Sequence, residues 1–224
     1  MFSHEKLRVY SQALDFVAQV SVLYSSWEKK HSVVDHFSRA AESIVLNLAE
    51  GARLSPAPMK LTSLDYAFGS SLECAACLDV ALLKSLLARP QCEREKQRLC
   101  EITKMLVGLR KAWSESSKLV LHEDQAEYTV DSKPSEAQPL FNHERLDVYR
   151  VSLSVMRWFV SLVPAEELAT PFRPVDKAAT SVILNIAEGN GRYAMLDHKR
   201  FLDMAQSSAV KPRRISICVS QKNF

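Results

Sequence analysis

Glycine is scarce, at 5 of 224 residues. That excludes a glycine-rich phosphate loop and argues against an all-β fold with many tight turns. Aromatic residues are only 8% of the chain, and the net charge of +3 is too mild to diagnose a nucleic-acid binder by itself. The opening Met1-Phe2-Ser3-His4-Glu5-Lys6 has no basic segment followed by an apolar core, so no secretory signal is expected. No uncharged apolar run approaches the ~20 residues that a bilayer crossing needs, so no membrane partner is expected. The five cysteines (Cys74, Cys77, Cys92, Cys100, Cys218) are odd in number and cluster mid-chain. A disulfide framework does not fit, and a cytoplasmic location is expected.

What the chain does contain is an internal repeat. Residues 2–10 (FSHEKLRVY) and 141–149 (FNHERLDVY) agree at six of nine positions, at an offset of 139. Residues 40–51 (AAESIVLNLAEG) and 178–189 (AATSVILNIAEG) agree at eight of twelve, at an offset of 138. Asp65, Ala67 and Ser70 then recur as Asp203, Ala205 and Ser208. Order and spacing of this kind read as a tandem duplication. The expected organisation is a first unit over 1–121, an acidic proline-containing linker over 122–140, and a second unit over 141–224. The linker holds Glu123, Asp124, Glu127, Asp131 and Glu136 against one Lys133, with Pro134 and Pro139.

Apolar residues in the first unit recur at helical spacing. Leu7, Tyr10, Leu14, Val17 and Tyr24 mark a first helix, with Ser3 as its cap and Phe2 stapled to Leu7. In the second unit Asn142, Phe141 and Leu146 repeat that start. Ala40, Ile44, Asn47, Leu48 and Gly51 mark a second helix. A third follows a Ser55-Pro56 start and runs from Leu61 to Leu86, with Arg89-Pro90 expected to break it. Leu99, Ile102, Leu106, Leu109 and Trp113 mark a fourth. The expected fold is all-α: an antiparallel up-down four-helix bundle followed by an incomplete three-helix copy.

The second unit departs from the first after Lys211. Pro212 is expected to break a helix that the first unit continues, and no fourth helix follows. Suitable codons for Lys-Pro-Arg-Arg-Ile-Ser-Ile, read one base earlier, give Ala-Ala-Ala-Tyr-Leu-Asp-Leu, close to Ala75–Val80. The alternatives are a frameshift and a divergent natural terminus, and the nucleotide sequence decides between them. Either way, the groove that a fourth helix would cover is expected to be exposed.

The opening HEKLRVY, the AAESIVLNLAEG segment and the long third helix together resemble the four-helix-bundle family of large-subunit rRNA intervening-sequence proteins. That family includes the accessory variability determinant proteins of diversity-generating retroelements. The motif Asn47, Ala49, Glu50, Gly51, repeated as Asn185, Ala187, Glu188, Gly189, is the most specific part of the resemblance. The resemblance implies an antiparallel bundle and homo-oligomers, often a pentameric barrel. For the retroelement branch it implies association with a reverse transcriptase and its RNA.

Residue by residue, the motif reads first as structure. Asn47 and Asn185 sit on an apolar stripe, where buried amides pair with a neighbouring helix or backbone. Glu50 and Glu188 suit a cross-bundle contact to a basic residue, and Gly51 and Gly189 suit a helix end, a bend or close packing. Cys74-x-x-Cys77 lacks a second ligand pair for zinc and an α/β setting for redox work, so buried thiols are expected. His4-Glu5 and His143-Glu144 lack a nearby nucleophile. No metal, cofactor, small-molecule substrate or catalytic activity is expected. Basic residues concentrate over 89–118, where Arg94, Arg98, Lys104, Arg110 and Lys111 suit RNA phosphates as well as a merely solvated face. The first functional reading is an oligomerising helical scaffold for RNA or a ribonucleoprotein. The alternative is a protein-binding adaptor that uses exposed apolar grooves.

Overall fold

The computed structural model describes residues 2–54, 57–115, 139–162 and 172–220, with backbone alone at 57 and 211–220. The linker expected over 122–140 lies almost wholly outside these residues, as do the Ser55-Pro56 start and the side chain of Cys218. Among the described residues all regular structure is helical. Four helices, α1 (Arg8–Ser25), α2 (Ser32–Arg53), α3 (Ala57–Leu83) and α4 (Arg89–Glu115), pack as a bundle. Three more follow: α5 (Asp147–Leu162), α6 (Arg173–Asn190) and α7 (Met195–Ser220).

Helix α3 is the centre of the molecule. It packs against α2 and α4 of the bundle and also against α5 and α6. By length and mean hydropathy (1.3 over its most apolar window) it is apolar enough to cross a bilayer. Its apolar surface is instead enclosed by other helices: Leu64, Phe68, Leu72, Ala75, Leu78 and Ala81 are all buried. Phe16, Phe37, Ile44 and Leu48 meet them from α1 and α2, and Leu99, Ile102 and Leu106 from α4. Each such side chain contributes roughly 1.5–3 kcal/mol through removal from water. The buried cluster continues without interruption into Tyr149, Met156, Ile183 and Leu184.

Three boundaries differ from the sequence reading. Ser3 and Asn142 do not cap the long helices. Short 3-10 turns, His4–Lys6 and Asn142–Arg145, come first, and α1 and α5 begin after the extended residues Leu7 and Leu146. Helix α3 ends before Arg89-Pro90, because the backbone closes on itself at Ser85. The Leu86 amide donates to the Ala81 carbonyl (2.9 Å) and the Ser85 amide to Leu82 (3.1 Å), with Ser85 at φ 58°. This left-handed closure satisfies the last carbonyls, and Arg89-Pro90 instead opens α4, where a proline has no helical amide to lose. Helix α7 continues through Pro212 to Ser220. A proline forfeits one backbone bond and crowds the preceding turn, and here the helical path survives that loss.

Candidate functional site

The richest polar chemistry lies where α5 and α6 dock on α3 and α4. Helix α6 runs antiparallel along α3. Asp176 in its first turn meets Lys84 at the end of α3, and Arg192, just past its C-terminus, reaches the Asp65 carbonyl (3.3 Å) near the start of α3. Lys84 and Asp176 form an ion pair whose side chains are 0% and 3% exposed. Around it, the Ser32 hydroxyl donates to Asp176 (3.0 Å) and lies 3.1 Å from the Thr180 hydroxyl, and the Lys84 ammonium lies 3.5 Å from the Thr180 hydroxyl. Burial pulls the Lys84 pKa down, against the upward pull of Asp176.

At the other end, Gly191 touches α3 closely. A Cβ there would stand 2.8 Å from Leu72 Cδ1 and 3.1 Å from Phe68 Cδ1. The Arg192 guanidinium pairs with Glu188, lies over the Tyr66 and Phe201 rings, and packs against Gly69. Burial, reinforced by Glu73, raises the Glu188 pKa to about 7 despite Arg192.

A second cluster sits between these ends. The Lys96 ammonium of α4 binds Asp79 (2.8 Å) and Glu144. The Tyr149 hydroxyl donates to the other Asp79 oxygen at 2.9 Å. Burial opposes a charge on Lys96, but Asp79 and then Glu144 outweigh it and hold the ammonium above its ordinary pKa. His143 stacks on Phe141 (5.6 Å) and meets the edge of Tyr149 (4.8 Å), and neither of its ring nitrogens has a hydrogen-bond partner among the described residues.

The repeated opening segment forms the same local device at both sites. The Phe2 amide donates to Glu5 (2.6 Å) and the Phe141 amide to Glu144 (3.2 Å). His4 likewise lies between Phe2 and Tyr10. The difference is burial: Glu5 is exposed and His4 half-buried, whereas His143 and Tyr149 are enclosed against α3 and α4.

Asp79, His143 and Glu144 bring one possible ligand atom each within 4.8 Å. The Lys96 ammonium already bonds both carboxylates, so a divalent cation would have to displace it. Cluster and charge together act as a lock between helices.

His143 gives that lock a pH dependence. Burial first, and the Lys96 charge second, push its pKa well below 6.5. The unfolded chain therefore binds a proton that the folded chain refuses. This contribution to stability is intact above about pH 6.5 and is lost as pH falls below it. Glu188, raised in the fold, carries the opposite sign between about 4.5 and 7. His143→Phe keeps an aromatic ring and removes the titration. Relative to its own value at pH 8, the wild type is expected to lose about 2 kcal/mol more than this variant by pH 5. Denaturant titrations at the two pH values measure the difference, and Glu188 cancels between the proteins. Equal losses would rule His143 out.

The residues singled out from sequence take these places. The Asn47 amide donates to the Ser43 carbonyl (2.8 Å) and hydroxyl (3.0 Å) one turn back, and Ser43 bonds Ser70 of α3 (2.8 Å). Asn185, Ser181 and Ser208 repeat this between α6 and α7 at 2.7, 3.1 and 2.9 Å. A Cβ added at Gly51 would stand 3.2 Å from Trp113 and 3.3 Å from Ser63, and one added at Gly189 would stand 2.8 Å from the Phe201 Cβ. Close packing is thus their shared role. Glu50 is exposed, whereas Glu188 holds Arg192.

Cys74, Cys77, Cys92 and Cys100 are buried free thiols, and burial raises their pKa values, that of Cys92 to about 11. Among the basic residues, Arg94 and Arg98 flank the buried Glu95 (3.1 and 3.6 Å), while Lys104 and Lys111 are exposed. Arg110 is part of the docking surface, binding Asp65 (2.8 Å) and stacking 3.8 Å over Tyr193. Sequence reasoning did not single out Lys84, Lys96 or Asp176. The available signal was a charge set among apolar residues, as Asp79 and Lys84 are on α3.

The fold defines an all-α protein in which a four-helix bundle carries three further helices, two of them (α5 and α6) docked on its central helix and the third (α7) packed on α6. Residues 5–108 match the family model described as 23S rRNA-intervening sequence protein. No curated protein and no solved structure matches the chain.

Proposed function

We propose that this protein is a non-enzymatic, self-associating helical scaffold of the cytoplasm that docks RNA or a ribonucleoprotein, such as a reverse transcriptase with its RNA. We further read its second unit as a duplicate of the first. The carrying observation is the outer face of α4, most of which lies inside the segment that matches the family model. Arg94, Lys104 and Lys111 project there into solvent, with Arg98 partly exposed beside them. Such a face holds phosphates by charge and without base readout.

Reversing Arg94, Lys104 and Lys111 to glutamate tests this in the full chain. RNA retention at low salt is expected to fall, and the slope of log K against log salt to flatten by about 2 for single-stranded RNA. Unchanged retention and slope would refute RNA docking on α4. The adaptor reading is favoured by one observation, the apolar exposed face of α5. Partner binding that is insensitive to salt would select it.

A further inference from the structure

The exposed face of α5 differs from its sequence counterpart on α1. Val148, Val151, Val155, Trp158 and Leu162 are each between 52 and 63% exposed. Their spacing of 3, 4, 3 and 4 residues makes a single straight seam, the pattern of helices that pair along their length. At the repeat offset of 139, Val148 and Val155 correspond to Val9 and Phe16 of α1, which are buried inside the four-helix bundle. Val151 and Trp158 correspond to Gln12 and Gln19, which are exposed even with α4 in place. A helix seated as α4 is seated would therefore cover Val148 and Val155 but leave Val151 and Trp158 in water. An occupant that also covers Val151 and Trp158 lies directly over α5.

We propose that this occupant is α5 of a second copy of the chain, packed antiparallel across a two-fold axis. The inference rests on the self-association in the proposed function and names its surface. The seam is self-complementary in that register: Val155 of one chain faces Trp158 of the other, and Val151 faces Leu162, small against large in each of these layers, with Val148 at the outer edge of the pairing. The residues flanking the seam are Ser152, Ser154 and Ser161, with Asp147 at one end and the exposed Arg150 and Arg157 one position farther out. The five side chains leave roughly 500 Å² of apolar surface, at the upper end of what a monomer carries. Doubled across the axis this is about 1,000 Å², the size at which a specific interface begins.

Sedimentation of the full chain tests the proposal. The wild type is expected to form a dimer, alone or as the unit of a larger even-numbered assembly. Val151→Gln with Trp158→Gln restores the residues that α1 carries at exposed positions. It is expected to weaken that dimer by about tenfold or more, with helix content unchanged. Val22→Glu, at another exposed apolar site on α1, is expected to leave it intact. A monomeric wild type overturns both this interface and self-association. A wild type that associates, but is insensitive to the glutamine pair or equally sensitive to Val22→Glu, overturns this interface alone. A peptide of residues 89–115 that binds a monomeric wild type, and loses binding with the glutamine pair, shows a fourth-helix occupant instead and also overturns it.

Discussion

Asp176→Ala is expected to cost about 3–5 kcal/mol of stability, because it strands the Lys84 ammonium in a site with no access to water. The Lys84 side chain is 0% exposed, and its other polar neighbour is the Thr180 hydroxyl at 3.5 Å, which cannot balance a charge. Ser32 also loses its acceptor, so the damage spans the start of α2, the end of α3 and the start of α6. The variant should recover part of its loss when Lys84 is neutral. Burial already lowers the Lys84 pKa with Asp176 present, and removing the carboxylate lowers it further. The unfolded lysine, near 10.5, then binds a proton that the folded one resists. The deficit is therefore largest at neutral pH and narrows as pH rises toward about 10.

Lys84→Met combined with Asp176→Leu separates the two meanings of such a pair. Removing both charges replaces two desolvated ions with apolar packing, which in buried sites is often neutral or stabilising. The double variant is expected near wild-type stability in urea titrations, far above Asp176→Ala alone. If Asp176→Ala itself unfolds at the wild-type midpoint, the pair is not holding the helices together.

The four helices of the bundle were legible because each must bury a stripe at 3–4 spacing, and that requirement is written locally. The repeated Asn47 and Asn185 were legible for the same reason: a polar residue on an apolar stripe must find a partner. The docking of α5 and α6 onto α3 was not legible. It depends on which distant helix meets Asp79, Lys84 and Lys96, and no local pattern encodes that meeting. His4 and His143 have nearly identical sequence surroundings, yet burial separates them, because the lysine that engages Glu144 comes from α4. Arg110 shows the limit from the other side. In a basic segment it reads as a phosphate contact, but the fold spends it on Asp65 and Tyr193. Arg89-Pro90 reads as a break in sequence because proline excludes a helix interior, but the same residue suits a first turn.

Lys96→Met should produce a loss of similar size at a different place in the fold. The Asp79 and Glu144 side chains are 15% and 12% exposed, and Lys96 is the cation that binds both. Methionine keeps much of the aliphatic stem but leaves two carboxylates facing each other in a confined site, with Tyr149 donating to one of them. Their mutual repulsion is then left without a cation between them. The variant is thus expected to be about 3–5 kcal/mol weaker than wild type near pH 7. Hydrogen exchange adds the location: in Lys96→Met, protection should fall first in α5 and the Asn142–Arg145 turn, while the α2–α3 core keeps its own. Uniform loss across the chain would mean that Lys96 stabilises the bundle as a whole and does not hold α5 to it.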